Sequence, residues 1–217
     1  LETWFDPAAI AIVFAGTLAA TLLRCGLADC RIALAALSGL FDKPFDPAQA
    51  KAELSVQVRE IADDGFLRAE PRRFGDGEFD SLSDLIINQR SIQSLHGEHA
   101  KFADARLAHA QTAMRVFDNA AELAPVLGLA GTLVALAQAP GASAQDSGLV
   151  GAIAMAGITT LYGLVAANFL FAPIGTAIGR KSRKEERDRE AVLEWLEEGI
   201  RSTGAATSAA QPASHAT

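Results

Sequence analysis

The chain has 217 residues, half of them hydrophobic, 21 % charged, with a formal net charge of −7; its mean hydropathy is +0.19. An acidic balance of this kind gives no support for nucleic-acid binding. Apolar and charged residues are segregated along the chain, which is the pattern of a membrane protein with water-exposed extensions.

Three runs carry no charged side chain: residues 7–23, 123–145 and 147–179. About 20 apolar residues cross a bilayer as one helix. The second and third runs are ample, and the first is near the lower limit, where a buried helix of a soluble domain is the alternative reading. Arg24 and Arg31 follow the first run, and Arg180, Lys181, Arg183 and Lys184 follow the third. The loop APGASAQDSG between the second and third runs has Asp146 as its one charge. By the positive-inside rule the basic flanks face the cytoplasm, and the loop and residues 1–6 lie outside. An outside N-terminus without an initiator Met or signal peptide points to a missing upstream segment, such as a further span; a three-span protein with its N-terminus outside is the alternative. Cys25 and Cys30 fit neither a CxxC redox pair nor a zinc pair, and read as reduced thiols.

After the first span, Ala-rich helix-forming sequence runs to Leu40. Asp46-Pro47 is a helix-start signal, Asp46 as N-cap and Pro47 at the first helical position. A helix is expected over 48–64, with Gly65 placed to end it. AEPRRFGDGEF reads as loop, and helix resumes at Ser81. Ile92, Leu95, Phe102, Met114 and Phe117 recur at three-and-four spacing, predicting a long amphipathic helix that continues into the second span, with Pro125 bending or re-aiming it. RKSRKEERDREAVLEWLEEGI reads as a further amphipathic helix ending near Gly199, its first half a solvated face. The predicted organisation is an outer flank (1–6), a membrane helix (7–23), a helical cytoplasmic domain (24–115), a membrane helix with a cytoplasmic extension (116–138), an outer loop (139–148), a membrane helix (149–173), a cytoplasmic amphipathic helix (174–202) and a disordered tail (203–217). The expected fold class is all-α: a polytopic membrane protein with three visible spans, a missing N-terminal one, and a helical cytoplasmic domain.

The chemistry concentrates in the last two runs. Gly148, Ala152, Ala156 and Thr160 stand four apart, and Gly163 and Ala167 extend the row. Ala124, Gly128 and Thr132 do the same in the second span, near Gly131. Rows of small residues let membrane helices approach closely, so Gly128, Gly131 and Gly163 read as helix-packing positions. Thr132, Thr159 and Thr160 fall at comparable depth, and their hydroxyls can line a wet path or bond back to their own helix. No Asp, Glu, Lys, Arg or His lies within the three runs. A proton relay normally needs a titratable group, so if the chain belongs to an ion pathway, a partner must contribute the carboxylate. His96, Glu98 and His99 form HGEH, but the spacing matches no strong metal template and reads as solvated histidines. No nucleophile–base arrangement, phosphate loop or cofactor motif is present: neither an enzyme nor a cofactor is expected.

AELAPVLGLAGTLVALAQ followed by GAIAMAGITTLYGLVAANFLFAPI resembles the paired last two spans of the MotA/TolQ/ExbB proton-channel family. TTLYG, then an Asn and a Pro, is more similar to the flagellar stator branch, MotA and PomA, than to TolQ or ExbB. FDPAAIAIVFAGTLAATLLR resembles the second of that branch's four spans, and VREIADDGFLRAEPRRF its cytoplasmic segment. The resemblance implies a pentamer in the bacterial inner membrane around two copies of a single-span partner, MotB in this branch, whose membrane Asp carries the ion. It implies that ion flow turns the ring and that the cytoplasmic loop pushes on the rotor protein FliG. It places Pro125 and Pro173 at the coupling prolines, Thr132, Thr159 and Thr160 near the ion path, and Glu70 at an acidic rotor contact. The usual basic rotor contact is not evident, leaving Arg59 and Arg68 as candidates, and Ala135 replaces the usual Gly of GTxxG. A stator subunit driven by protons or sodium is expected. A TolQ/ExbB-like transducer driving a periplasmic partner and a non-conducting membrane scaffold are the alternatives.

Overall fold

The computed structural model describes residues 7–64, 73–89, 92–137 and 147–209. All regular structure among the described residues is helical: α1 (Pro7–Gly39), α2 (Pro47–Asp64), α3 (Gly77–Gln89), α4 (Ile92–Ala137), α5 (Ser147–Val165), a π-helical segment (Ala166–Phe171) and α6 (Ala172–Ala209). Three helices are long and apolar enough to cross a membrane, within 9–39, 95–137 and 153–202. The all-α class is therefore as expected.

Helix boundaries follow local chemistry. Asp46 Oδ1 accepts from the backbone N–H of Ala48 (2.9 Å) and of Gln49 (3.3 Å), capping α2 as the Asp-Pro signal requires. Asp76 Oδ1 does the same for Glu78 (3.0 Å) and Phe79 (3.4 Å). That cap starts α3 at Gly77, four residues before the expected Ser81. The long helix α4 runs without interruption from Ile92 through Pro125 to Ala137, as its periodicity predicts. The last helix departs from expectation. It continues to Ala209, past Gly199 and into the stretch expected to be a disordered tail. The Ala-rich sequence there has high helix propensity, and one internal Gly at 204 costs only about 1 kcal/mol. Gly65 lies outside the described residues.

Two compact units emerge: residues 1–42 with 108–181, and residues 43–107 with 182–217. In the first, Ala33 of α1, Ala113, Val116, Phe117, Ala120 and Ala124 of α4, Ala166, Ala167 and Phe171 of the π segment, and Ile178 of α6 form one buried cluster. Its residues are mostly small, which suits helices packed in lipid, where close contact replaces the hydrophobic drive. Gly26 breaks α1, with φ 83° and ψ 163°. That region is open essentially to glycine alone, so the position re-aims the chain where the first apolar run ends. Lys181 Nζ donates to the carbonyls of Gly39 and Asp42, closing the C-terminal end of α1.

Thr17 and Thr21 are buried on α1, and neither hydroxyl has a hydrogen-bond partner among the described residues. An unpaired buried polar group costs about 1–3 kcal/mol. Replacing Thr17 with the isosteric Val should therefore stabilise the protein by about 1 kcal/mol, read as a higher melting temperature in detergent. A lower melting temperature would mean that the hydroxyl finds a partner in the assembled protein.

The second unit has a larger-residue core: Leu54 of α2, Phe79, Leu82 and Ile86 of α3, Leu95 of α4, and Val192, Leu193, Leu196 and Ile200 of α6. Its apolar residues recur every three or four positions on α3 and α6, the spacing of amphipathic helices around a core.

Candidate ion-path wall and buried charge cluster

In the first unit α4 and α5 meet through glycine. A Cβ placed on Gly163 would lie 2.6 Å from the Ala124 carbonyl oxygen and 3.2 Å from the Cα atoms of Gly128 and Pro125. A Cβ on Gly128 would lie 3.1 Å from the Thr159 carbonyl and 3.3 Å from the Cα atoms of Gly163 and Thr160. The two backbones touch, and no larger residue fits at either position without moving a helix. Gly131 faces the Thr159 methyl and is also near Ile12 of α1. Gly128, Gly131 and Gly163 thus form a packing seam, and Pro125 lies on it.

The three threonines divide by exposure. Thr159 is 2 % exposed, and its hydroxyl donates to the Met155 carbonyl at 2.8 Å. It is packed inside the unit, against Gly131. Thr132 and Thr160 are half-buried, and their hydroxyls donate to the carbonyls of Leu129 (2.7 Å) and Ala156 (3.3 Å). Each retains acceptor capacity, and each stands at the edge of the seam, where another chain or water can reach it.

Sequence reasoning did not find the π segment beyond α5. There the N–H of Ala172 bonds to the Ala167 carbonyl, five residues back. The available signal was Pro173, whose ring collides with the carbonyl four residues before it in a regular helix. A widened turn relieves that collision, and such turns are frequent at functional sites. Pro173 itself is exposed, as are Asn168 and Phe169. Arg59 is exposed on α2, while Arg68 and Glu70 lie outside the described residues.

The second unit holds a cluster that the charge pattern hid. Glu78, 2 % exposed, accepts through Oε2 from Arg106 Nη1 (2.6 Å) and Arg189 Nη1 (3.0 Å), and its Oε1 meets His99 Nδ1. Arg106 makes a second, bidentate contact with Glu186, at 3.0 and 2.8 Å. Arg189 also reaches Asp76 (2.8 Å) and Glu185 (3.1 Å) and lies 4.5 Å from the centroid of the Phe45 ring. The expectation of solvated side chains is corrected at two positions. Arg189 is buried, not part of a wet face, and the His99 side chain is only 13 % exposed and flanked by Glu78 and Glu186. A charged residue enters a core when several partners compensate its lost hydration. His96 is exposed, with Nε2 2.7 Å from Glu197 Oε1, within ion-pair distance but not aligned as a hydrogen bond.

Burial works to raise the Asp76 carboxyl, but the hydrogen bond and charge of Arg189, with the N–H groups of Glu78 and Phe79, outweigh it and hold the carboxyl below its usual range. A depressed carboxylate contributes stability that is present at neutral pH and lost as pH falls below about 4. Asp76→Asn should lower stability at pH 7 and flatten the loss between about pH 4 and pH 2, read from unfolding curves at stepped pH. An unchanged acid profile would remove Asp76 from the acid response.

Residues 73–191, more than half of the chain, match the model of the MotA/TolQ/ExbB proton channel family. The chain belongs to this family. Motility protein A of Cereibacter sphaeroides is 30 % identical over 148 residues, which is 66 % of this chain and 56 % of that protein. Chemotaxis protein PomA of Vibrio alginolyticus is 25 % identical over 199 residues, 88 % of this chain and 76 % of that protein. The solved flagellar MotAB stator complex from Bacillus subtilis superposes with a TM-score of 0.81 at 22 % identity, covering 91 % of this chain and 79 % of that one. The chain therefore spans little more than half the length of the Cereibacter relative and shares the stator subunit's fold. Family membership and three apolar helices make it a multi-pass membrane protein.

Proposed function

We propose that this chain is the ring-forming subunit of an ion-driven rotary stator in the bacterial inner membrane, pairing with a MotB-like single-span protein and acting on a FliG-like rotor. One observation carries the reading. The glycine seam between α4 and α5 leaves the hydroxyls of Thr132 and Thr160 at its edge, in spans without any carboxylate of their own. Such a wall can guide a cation or water, but it cannot carry a proton stepwise, so the acid comes from the partner span. Similarity to Motility protein A and PomA supports the stator branch, and a pentameric ring is part of the proposed reading.

The energetics are sufficient. One charge crossing 100 mV releases about 2.3 kcal/mol, several times the thermal energy. Thr159 shapes the wall from inside by filling the space beside Gly131, while Thr160 presents its oxygen. Pro125 sits within the seam and Pro173 just beyond the widened turn, so both stand where the backbone can bend. The exposure of Arg59 on α2 supports assigning it an electrostatic rotor contact.

Thr160→Val keeps shape and removes the oxygen. It should lower ion-dependent torque at least several-fold while the complex with the single-span partner still purifies intact; tethered-cell rotation with a pull-down reads both. Normal torque would exclude Thr160 from the path. Purification without any single-span protein bearing a membrane Asp would count against the motor reading itself.

A further inference from the structure

The third span buries one side of itself, and the buried side changes position inside the π segment. Thr159, Gly163 and Ala166 are buried, four and three residues apart, as one side of an α-helix requires. Leu170 is next in that series. Yet Leu170 is 41 % exposed, and its neighbour Phe171 is buried at 6 %. From Phe171 the four-and-three spacing resumes, with Gly175 and Ile178 buried. The step from Ala166 to Phe171 is five residues, and across it the N–H of Ala172 reaches the Ala167 carbonyl, also five back. Burial and hydrogen bonding agree that this stretch holds one residue more than an α-helix of the same course.

Pro173 supplies the cause. In an unbroken α-helix its ring would press on the Phe169 carbonyl and leave that carbonyl without a donor. The surplus residue moves the carbonyl aside, and the Asn168 amide braces the entrance by donating to the Leu164 carbonyl at 2.9 Å. The same residue decides which side chains of α6 meet α4. Without it the inward series would continue through Leu170, Ile174 and Ala177; with it Phe171, Gly175 and Ile178 are inward. The difference matters where the helices approach. A Cβ on Gly175 would touch the Phe117 Cβ and the Asp118 Oδ1 of α4, each at 3.4 Å. Glycine suits that contact, and the branched side chain of Ile174 in its place would crowd it. Further along α6, Lys181 donates to the carbonyls of Gly39 and Asp42, so the end of α1 depends on the same facing.

We propose that Pro173 is a positioning residue: by holding one surplus residue between Ala166 and Phe171, it turns Gly175 towards α4 and Lys181 towards the end of α1. The proline acts through the facing of α6, not through contact with an ion. This role is independent of which ion passes and of what the protein drives.

Disulfide cross-linking tests this on the full chain in membranes, on a Cys25→Ser, Cys30→Ala background. The 3.4 Å between a Cβ at position 175 and the Phe117 Cβ is close to the Cβ separation of a disulfide, about 3.8 Å. Phe117→Cys with Gly175→Cys should therefore cross-link under copper phenanthroline, and Phe117→Cys with Ile174→Cys should not. Pro173→Ala restores the N–H and lets the helix close into a regular α-helix. Cross-linking should then fall at least several-fold at 175 and rise at 174. Deleting Phe169, which is 81 % exposed in the turn, from the Pro173→Ala chain removes the surplus residue and should return the cross-link to 175. An unchanged pattern in Pro173→Ala would overturn the proposal, because the proline would not be setting the facing. Loss at both positions that the deletion does not repair would overturn it as well, since that is damage and not rotation. A cross-link that stays at 174 after the deletion would show that no surplus residue governs α6.

Discussion

Replacing Glu78 with Ala is expected to destabilise the second unit by about 3–5 kcal/mol, the range for breaking a buried ion pair by removing one partner. The carboxylate is the hub of the cluster. Without it Arg106, Arg189 and His99 lose their shared partner inside a core built from Phe79, Leu82 and Leu95. Arg106 retains Glu186, and Arg189 retains Asp76 and Glu185, so the loss falls short of two fully stranded guanidiniums. Denaturant unfolding of the purified protein, with hydrogen exchange over α3, gives the magnitude. The double variant Glu78→Ala, Arg106→Ala should cost less than the sum of the single changes, because the second removes a charge the first had stranded. Additive losses, or a Glu78→Ala cost below about 1 kcal/mol, which is typical of exposed pairs, would show that the cluster does not act as a unit.

Gly163→Val is expected to separate α4 from α5. Even alanine would place a methyl 2.6 Å from the Ala124 carbonyl, where neither partner is a side chain that can rotate away. Overpacking of this kind costs about 1–3 kcal/mol, and valine adds two further methyl groups. The melting temperature in detergent should fall, and torque should be lost with it, since Thr160 shares the seam. Gly128→Ala meets the same backbone from the other side. A Cβ on Gly163 comes within 3.2 Å of the Gly128 Cα, so the two substitutions should be non-additive. A Gly163→Val protein with unaltered melting would mean that the helices are not in contact in the assembled protein.

The spans, the Asp46–Pro47 helix start and the unbroken α4 were legible because each rests on local chemistry: length of an apolar run, a cap, a period. The seam was also legible, since rows of Gly and Ala have one main use in lipid. What stayed hidden depends on contacts distant in sequence. HGEH and RKSRKEERDRE look like solvated polar stretches, because nothing local tells His99 from His96 or Arg189 from Arg187. Only the fold brings Glu78, 111 positions away in sequence, against Arg189. Thr159 and Thr160 are adjacent and identical in kind, yet one faces inward and the other the edge, a distinction set by where α1 and Gly131 lie.

The widened turn at residues 166–171 has a consequence for register. An α-helix advances about 100° per residue, and a π turn accommodates one residue more than an α turn. The side chains after it, Ile174 and Ile178 among them, are therefore offset by roughly a quarter of a revolution from the direction that a ruler laid along Thr159, Gly163 and Ala166 would assign. Relatives aligned across this stretch without a gap can match letter for letter and still point their side chains differently, if one has the extra residue bulged out and the other has absorbed it.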